Sequence, residues 1–353
     1  MKLKKKTVSN LITYALVVAA FIFCQSMIAN GQMTRALKGQ MVPICVYIVM
    51  AVSLNLVVGI SGELSLGHAG FMSIGAFSGA IVSAWMLGAL GLENTVLRLI
   101  LSMLVGGAIA GVFGVLIGVP VLRLRGDYLA IVTLAFGEII RNVMNCMYFS
   151  LDGSRLHASF NNPNLPGAML VNGPAGATGI QKISTFPVGF ALILFALFVV
   201  LNLIDSRSGR AIMAARDNRI AAEAMGVNVT KYKMMAFVTS AVLAGMAGAL
   251  YGLNFSTVSA GKFKFDTSIL VLVFVVLGGI GNIRGSIIAA ALLTVLPELL
   301  RAFADYRMLI YAIVLILVML ATNNPIIRSL INGLVRRGRR AASAGAEKGG
   351  AAQ

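Results

Sequence analysis

Long apolar runs separated by short polar interruptions occupy most of the chain, and that pattern predicts membrane-spanning helices. A helix crosses a bilayer with about 20 apolar residues. The candidate spans are roughly 11–29, 41–60, 69–90, 97–122, 128–149, 184–204, 234–254, 267–281, 286–303 and 308–323. Segments 128–149 and 267–303 are ambiguous, so the expected count is about eight to ten. Two connecting stretches are longer than a turn. Leu151 to Ile183 holds Asn161, Asn162, Pro163, Asn164, Pro166 and Gly167, then Asn172, Gly173, Pro174, Gly176 and Gly179. These are turn formers, and the stretch reads as an outer loop. Asp205 to Lys233 is the other, and it falls on the opposite side.

The first apolar run follows Lys2, Lys4, Lys5 and Lys6, as in a signal peptide. The run is long and no clear small-x-small cleavage site follows, so a retained first helix is expected. Placing the N-terminus in the cytoplasm and alternating sides puts 19 of the 29 Lys and Arg residues inside and 9 outside, with Arg141 within a span. This bias obeys the positive-inside rule and predicts cytoplasmic N- and C-termini.

Composition strengthens the membrane reading. Of 353 residues, 58% are hydrophobic and 12% charged, where soluble domains carry about 25% charged residues. Mean hydropathy is +0.90. A soluble globular enzyme, a disordered chain and a secreted disulfide scaffold are excluded. The fold class is all-α, a polytopic integral membrane protein. Residues 1–323 are expected to form one transmembrane domain with loop 205–233 inside it, and 324–353 a basic, disordered cytoplasmic tail. Cys24, Cys45 and Cys146 all lie in apolar runs, are odd in number and lack ligand spacing, so neither a disulfide nor a metal site is expected. The net charge of +17 suggests nucleic acid. However, the cations are spread over five inner segments, so no nucleic-acid partner is expected. The densest cluster, Arg336, Arg337, Arg339 and Arg340, suits anionic lipid at about 1 kcal/mol per charge.

Four places carry candidate chemistry. In the loop SGRAIMAARDNRIAAEAMGVNVTKYKMMAF, Asp217 or Asn218 can cap a helix starting near Arg219, and Gly226 can end it. The helix, of about two turns, has a small alanine side (Ala221, Ala222) for close approach, with Glu223 among its charges and Ile220 and Met225 adding apolar contact. It is either a docking knob for another protein or an interfacial helix on lipid. Ser61 to Gly70 is polar and glycine-rich, with Glu63, Ser65 and His68. It reads as a cytoplasmic turn in preference to a broken helix beside a pathway, since irregular backbone at membrane depth must be buried by protein or lined by water. His68 reads as a hydrogen-bonded structural residue before a ligand. Glu138 and Arg141 share a helix face within an apolar run. They form either a buried ion pair or a polar lining for a translocation path; Glu298 and Arg301 repeat the spacing near an outer boundary. Lastly, Gly278, Gly279, Gly281 and Gly285 interrupt 268–300, as a turn or a re-entrant break. Gly245, Gly248 and Gly252 recur at a spacing suited to tight packing on another helix or a partner.

No P-loop pattern occurs, since Gly261-Lys262 lacks the flanking residues. No HExxH, paired-carboxylate or Ser-His arrangement points to catalysis, so no catalytic residue and no cofactor is expected in this chain.

Within the cytoplasmic loop, Ala221, Ala222 and Gly226 match the Glu-Ala-Ala, three residues, Gly signature of ABC importer permeases, with Ile220 where the signature has Glu. NLVVGISGELSLGHAGF, RLRGDYLAIVTLAFGEIIR and VLGGIGNIRGSIIAA extend the likeness across about 55–324. The chain resembles the permeases of branched-chain amino acid ABC importers, closest to the LivM-type subunit. The resemblance implies an ATPase-coupling helix at Arg219–Gly226, and a second, LivH-type permease, two ATP-binding subunits and a periplasmic binding protein as partners. It also implies a bacterial inner-membrane location, alternating access, and ATP bound only by the partners. Permeases for sugars or for urea and short amides share this architecture. An ion-coupled secondary transporter is a more distant alternative.

Overall fold

The computed structural model describes residues 2–31, 33–124, 126–153 and 155–300, together with Tyr306, Leu309, Ile310, Ala312, Ile313 and Ile316. The expected span at 308–323 falls almost entirely outside these, as do Arg301 and the basic tail 324–353. The chain clusters into two compact units, Met1–Val295 and Leu296–Gln353. The first holds ten helices, a small sheet and most of an eleventh helix.

In chain order the helices are α1 (Lys2–Ala29), α2 (Arg35–Asn55), α3 (His68–Leu90), α4 (Thr95–Val121), α5 (Asp127–Cys146), α6 (Phe186–Asp205), α7 (Arg207–Asp217), α8 (Arg219–Ala224), α9 (Val229–Gly252), α10 (Phe265–Gly278) and α11 (Ile283–Leu299). Polar side chains mark several starts. Thr34 caps α2, Asn94 caps α4 by accepting from the Val96 and Leu97 N–H groups, and Ser206 caps α7. Seven helical segments among the described residues are long and apolar enough to cross a membrane: Asn10–Ala29, Arg35–Ser61, His68–Leu90, Thr95–Val121, Tyr128–Cys146, Phe186–Asp205 and Val229–Gly252. The chain is a multi-pass membrane protein. With 14 residues, α10 is about 21 Å long, short of the roughly 30 Å hydrocarbon core.

The core is a bundle in which α9 packs on α3 and α4. Small residues bring these backbones together. A Cβ on Gly75 would lie 1.9 Å from the Gly245 carbonyl oxygen, and one on Gly248 would lie 2.0 Å from that of Met72. In lipid, where solvent exclusion does not drive helices together, such close packing supplies the association energy.

One stretch corrects the sequence reading. The segment assigned to the end of span 128–149 and the loop after it fold as a three-stranded antiparallel sheet. Its strands are β1 (Met147–Asp152), β2 (Arg155–Phe160) and β3 (Ala168–Asn172), in the order β2-β1-β3. Met147 pairs with Phe160 and Asp152 with Arg155. Alternating β-formers around Asp152-Gly153 are a hairpin signal, masked by the apolarity of 147–151. Beyond the sheet, Ala177 and Val258 exchange two backbone bonds of 2.9 Å, tying the stretch before α6 to the one after α9.

Candidate coupling and path site

The loop between α6 and α9 is a folded knuckle. Asn218 ends α7 and caps α8, its Oδ1 accepting from the Ala221 N–H at 3.0 Å. The six residues of α8 are followed by Gly226 at φ +79°, a left-handed position open to glycine at no steric cost. The Gly226 N–H closes the turn on the Glu223 carbonyl at 3.0 Å. Arg219 and Glu223 pair along the outside at 2.8 Å. Ala222 packs with Ala215 and Val229 in a small core covered by Val227. The alanine expected on the approach side is therefore half of a different story: Ala221 is exposed but Ala222 faces inward at 6% exposure. The exposed apolar groups are Ile220 at 80% and Met225 at 83%.

Two cations tie this knuckle to the end of α2. The last turn of that span, Leu56–Ser61, is a π-helix that Gly62 terminates at φ +74°. Arg216 Nη1 donates to the Gly59 carbonyl at 2.9 Å, and its stem lies against Gly62. Lys233, in the first turns of α9, pairs with Glu63, both side chains largely buried. Above this clamp, Asn55 joins α2 to the α10–α11 turn. Its Oδ1 accepts from Gly281 N–H and its Nδ2 donates to Ser286 Oγ, both at 2.8 Å.

Residues 63–67 then run back into the protein. Ser53, eight residues before Ser61, lies about 12 Å along the helix axis and bonds His68 at 2.8 Å, so α3 begins well inside the bundle. The turn expected over Ser61–Gly70 reverses at Gly62 and continues as irregular backbone to Gly67, with Leu64 exposed and Ser65 and Gly67 buried, before α3 begins at His68. The Leu66 N–H donates to Thr133 Oγ1 at 3.1 Å and the Ala69 N–H to Ser268 Oγ at 3.0 Å.

Four side chains singled out as path candidates gather around this start of α3. Ser65 is 1% exposed and its Oγ has no hydrogen-bond partner. His68 is buried, and the Ser53 hydroxyl donates to the Met50 carbonyl at 2.9 Å. Ser53 Oγ thus lies within hydrogen-bond distance of both the Met50 carbonyl and His68 Nε2. Glu138 pairs with Arg141 at 2.6 Å, with side-chain exposures of 33% and 23% respectively. Glu138 also borders a small gap with Leu66, Gly70, Phe265 and Ser268. The ion-pair geometry thus coexists with a position beside the broken segment.

Residues 37–319 match the family described as branched-chain amino acid transport system, permease component. The chain belongs to this permease family. It is 35% identical over 309 residues to the high-affinity branched-chain amino acid transport system permease protein LivM of Salmonella typhimurium, and 36% identical over 290 residues to that of Escherichia coli. Each match takes in 78% of this chain and 66% of the relative, so it spans about two thirds of those proteins' length. The permease protein LivH of Salmonella typhimurium is 30% identical over 179 residues, covering 49% of this chain and 56% of its own. No solved structure matches.

Asn55, Arg216 and Ser286 were not among the sequence candidates. Asn55 carried a readable signal, since a lone amide within an apolar run needs a partner. Arg216 carried none, being one cation among many in its loop.

Proposed function

We propose that the chain is the transmembrane permease subunit of an ATP-driven ABC importer that moves leucine, isoleucine and valine delivered by a periplasmic binding protein. It works beside a LivH-type second permease and two ATP-binding subunits, in a bacterial inner membrane, with both termini cytoplasmic. It contributes no ATPase site; ATP is bound by its partners. The family membership supports this reading, and one structural observation carries the mechanism. Ile220 and Met225 project from a capped helix whose base is clamped to the broken α2–α3 segment through Arg216 and Lys233.

A short folded element tethered at both ends moves as a rigid body. Closure of an ATPase dimer gripping Ile220 and Met225 pulls on Gly59 and Glu63, and through Asn55 on the α10–α11 turn. That shifts the start of α3, around which Ser65, His68, Glu138 and Arg141 line the solute path in alternating access.

The test is uptake into proteoliposomes holding the chain with its co-expressed partners. Labelled leucine is expected to enter only with internal ATP, with isoleucine and valine competing. Uptake driven by an ion gradient without ATP would overturn the reading, as would transport of urea or a sugar in place of leucine.

A further inference from the structure

At the opposite end of the bundle from the knuckle, an arginine is enclosed without a counter-charge among the described residues. The antiparallel packing of α4 on α9 places Gly118 by Met234 and Gly107 by Met246, so the first turn of α4 lies far from the knuckle. Arg98 stands in that turn at 1% exposure. Its Nη2 donates to Gln181 Oε1 at 2.7 Å, and its buried Nε has no hydrogen-bond partner. Among the described residues no carboxylate pairs with it. A guanidinium keeps its proton when buried, and a buried charge without a partner is costly. The guanidinium hydrogens not given to Gln181 are suited to a carboxylate.

Arg98 lines a cavity of about 240 Å³ together with Gln181, Thr178, Ser83, Leu87 and Leu170. For scale, a cavity of about 150 Å³ accepts benzene. The lining therefore combines one fixed cation, two hydroxyls that can accept from an ammonium group, and aliphatic surface for a short apolar side chain. The chemistry fits a free α-amino acid with an aliphatic side chain better than a phosphate, which has no use for the aliphatic surface.

We infer that Arg98 and this cavity form a carboxylate-holding subsite for an aliphatic amino acid. The subsite lies at the end where solute is received, and it rests on the reading of the chain as a branched-chain amino acid permease. Solute held there by its carboxylate waits at the mouth of the bundle before the path opens.

The test uses the assembled transporter in native membranes, with Cys24, Cys45 and Cys146 replaced and Ala84→Cys placed as a reporter on the same cavity wall. Leucine at ten times its dissociation constant is expected to slow maleimide labelling about tenfold. Leucinamide and inorganic phosphate are expected not to slow it. Arg98→Gln removes the leucine protection and Arg98→Lys retains part of it, with both variants eluting as the parent complex does in detergent. No protection by leucine, protection unchanged in Arg98→Gln, or equal protection by phosphate overturns the subsite. Leucine uptake by the parent in the same membranes separates the two claims. Normal uptake without protection sinks the subsite alone, whereas absent uptake counts against the permease reading.

Discussion

Ala222 and Ile220 sit two residues apart and do opposite jobs. Ala222 is packed against Ala215 and Val229, so Ala222→Glu forces a carboxylate among apolar side chains, at a cost of a few kcal/mol or more. The expected outcome is a knuckle that unfolds locally, seen as faster protease cleavage within 205–233. Ile220 is exposed, so Ile220→Glu is expected to leave cleavage unchanged and cut ATP-driven leucine uptake by about tenfold or more, as loss of a central apolar contact does. Equal uptake by Ile220→Glu and the parent would remove the docking role. The helix ends at Asn218 and Gly226 were readable because capping follows from residue type. Which alanine turned inward was not, because Ala215 and Val229 come from neighbouring elements that periodicity in a six-residue helix cannot place.

Among whole elements, the seam joining α3, α4 and α9 decides whether the bundle forms. Gly245, Gly248 and Gly252 announced tight packing by their spacing, and left open whether the partner was internal. The partner is α3 and α4 of the same chain. Gly248→Val drives two methyl groups into the Met72 carbonyl region, beyond the roughly 1–3 kcal/mol of ordinary overpacking, because backbone cannot rotate away. Size-exclusion chromatography in mild detergent is expected to show this variant aggregated. Gly39→Val, whose Cβ meets nothing within 4 Å, is expected to elute as the parent does. A monodisperse Gly248→Val would mean the seam is looser than drawn. Hydropathy located the seven helices long and apolar enough to cross a membrane to within about six residues, yet it absorbed Met147–Phe149 into a helix. An apolar strand and an apolar helix end look alike until the hairpin at Asp152-Gly153 is weighed. The start of α3 inside the bundle was equally invisible, since Ser53, Thr133 and Ser268, which hold it, are far apart in sequence.

Across the whole molecule, one chain of contacts runs from surface to interior. The knuckle supplies Arg216 and the start of α9 supplies Lys233; these hold Gly59 and Glu63; and Asn55, one helical turn from Gly59, holds the turn between α10 and α11. Each link is a polar contact between separate elements, so the parts move together or the contacts break. On the proposed function, an ATP-binding subunit pushes on this linkage at Ile220 and Met225. The direct measurement is disulfide or short bifunctional cross-linking from Ile220→Cys, in a chain with Cys24, Cys45 and Cys146 replaced, to the ATP-binding subunit of the native complex. The account predicts an adduct of the two chains whose yield changes when ATP is bound. Labelling of Ile220→Cys by an impermeant reagent added from the periplasmic side, with no adduct formed, would contradict it.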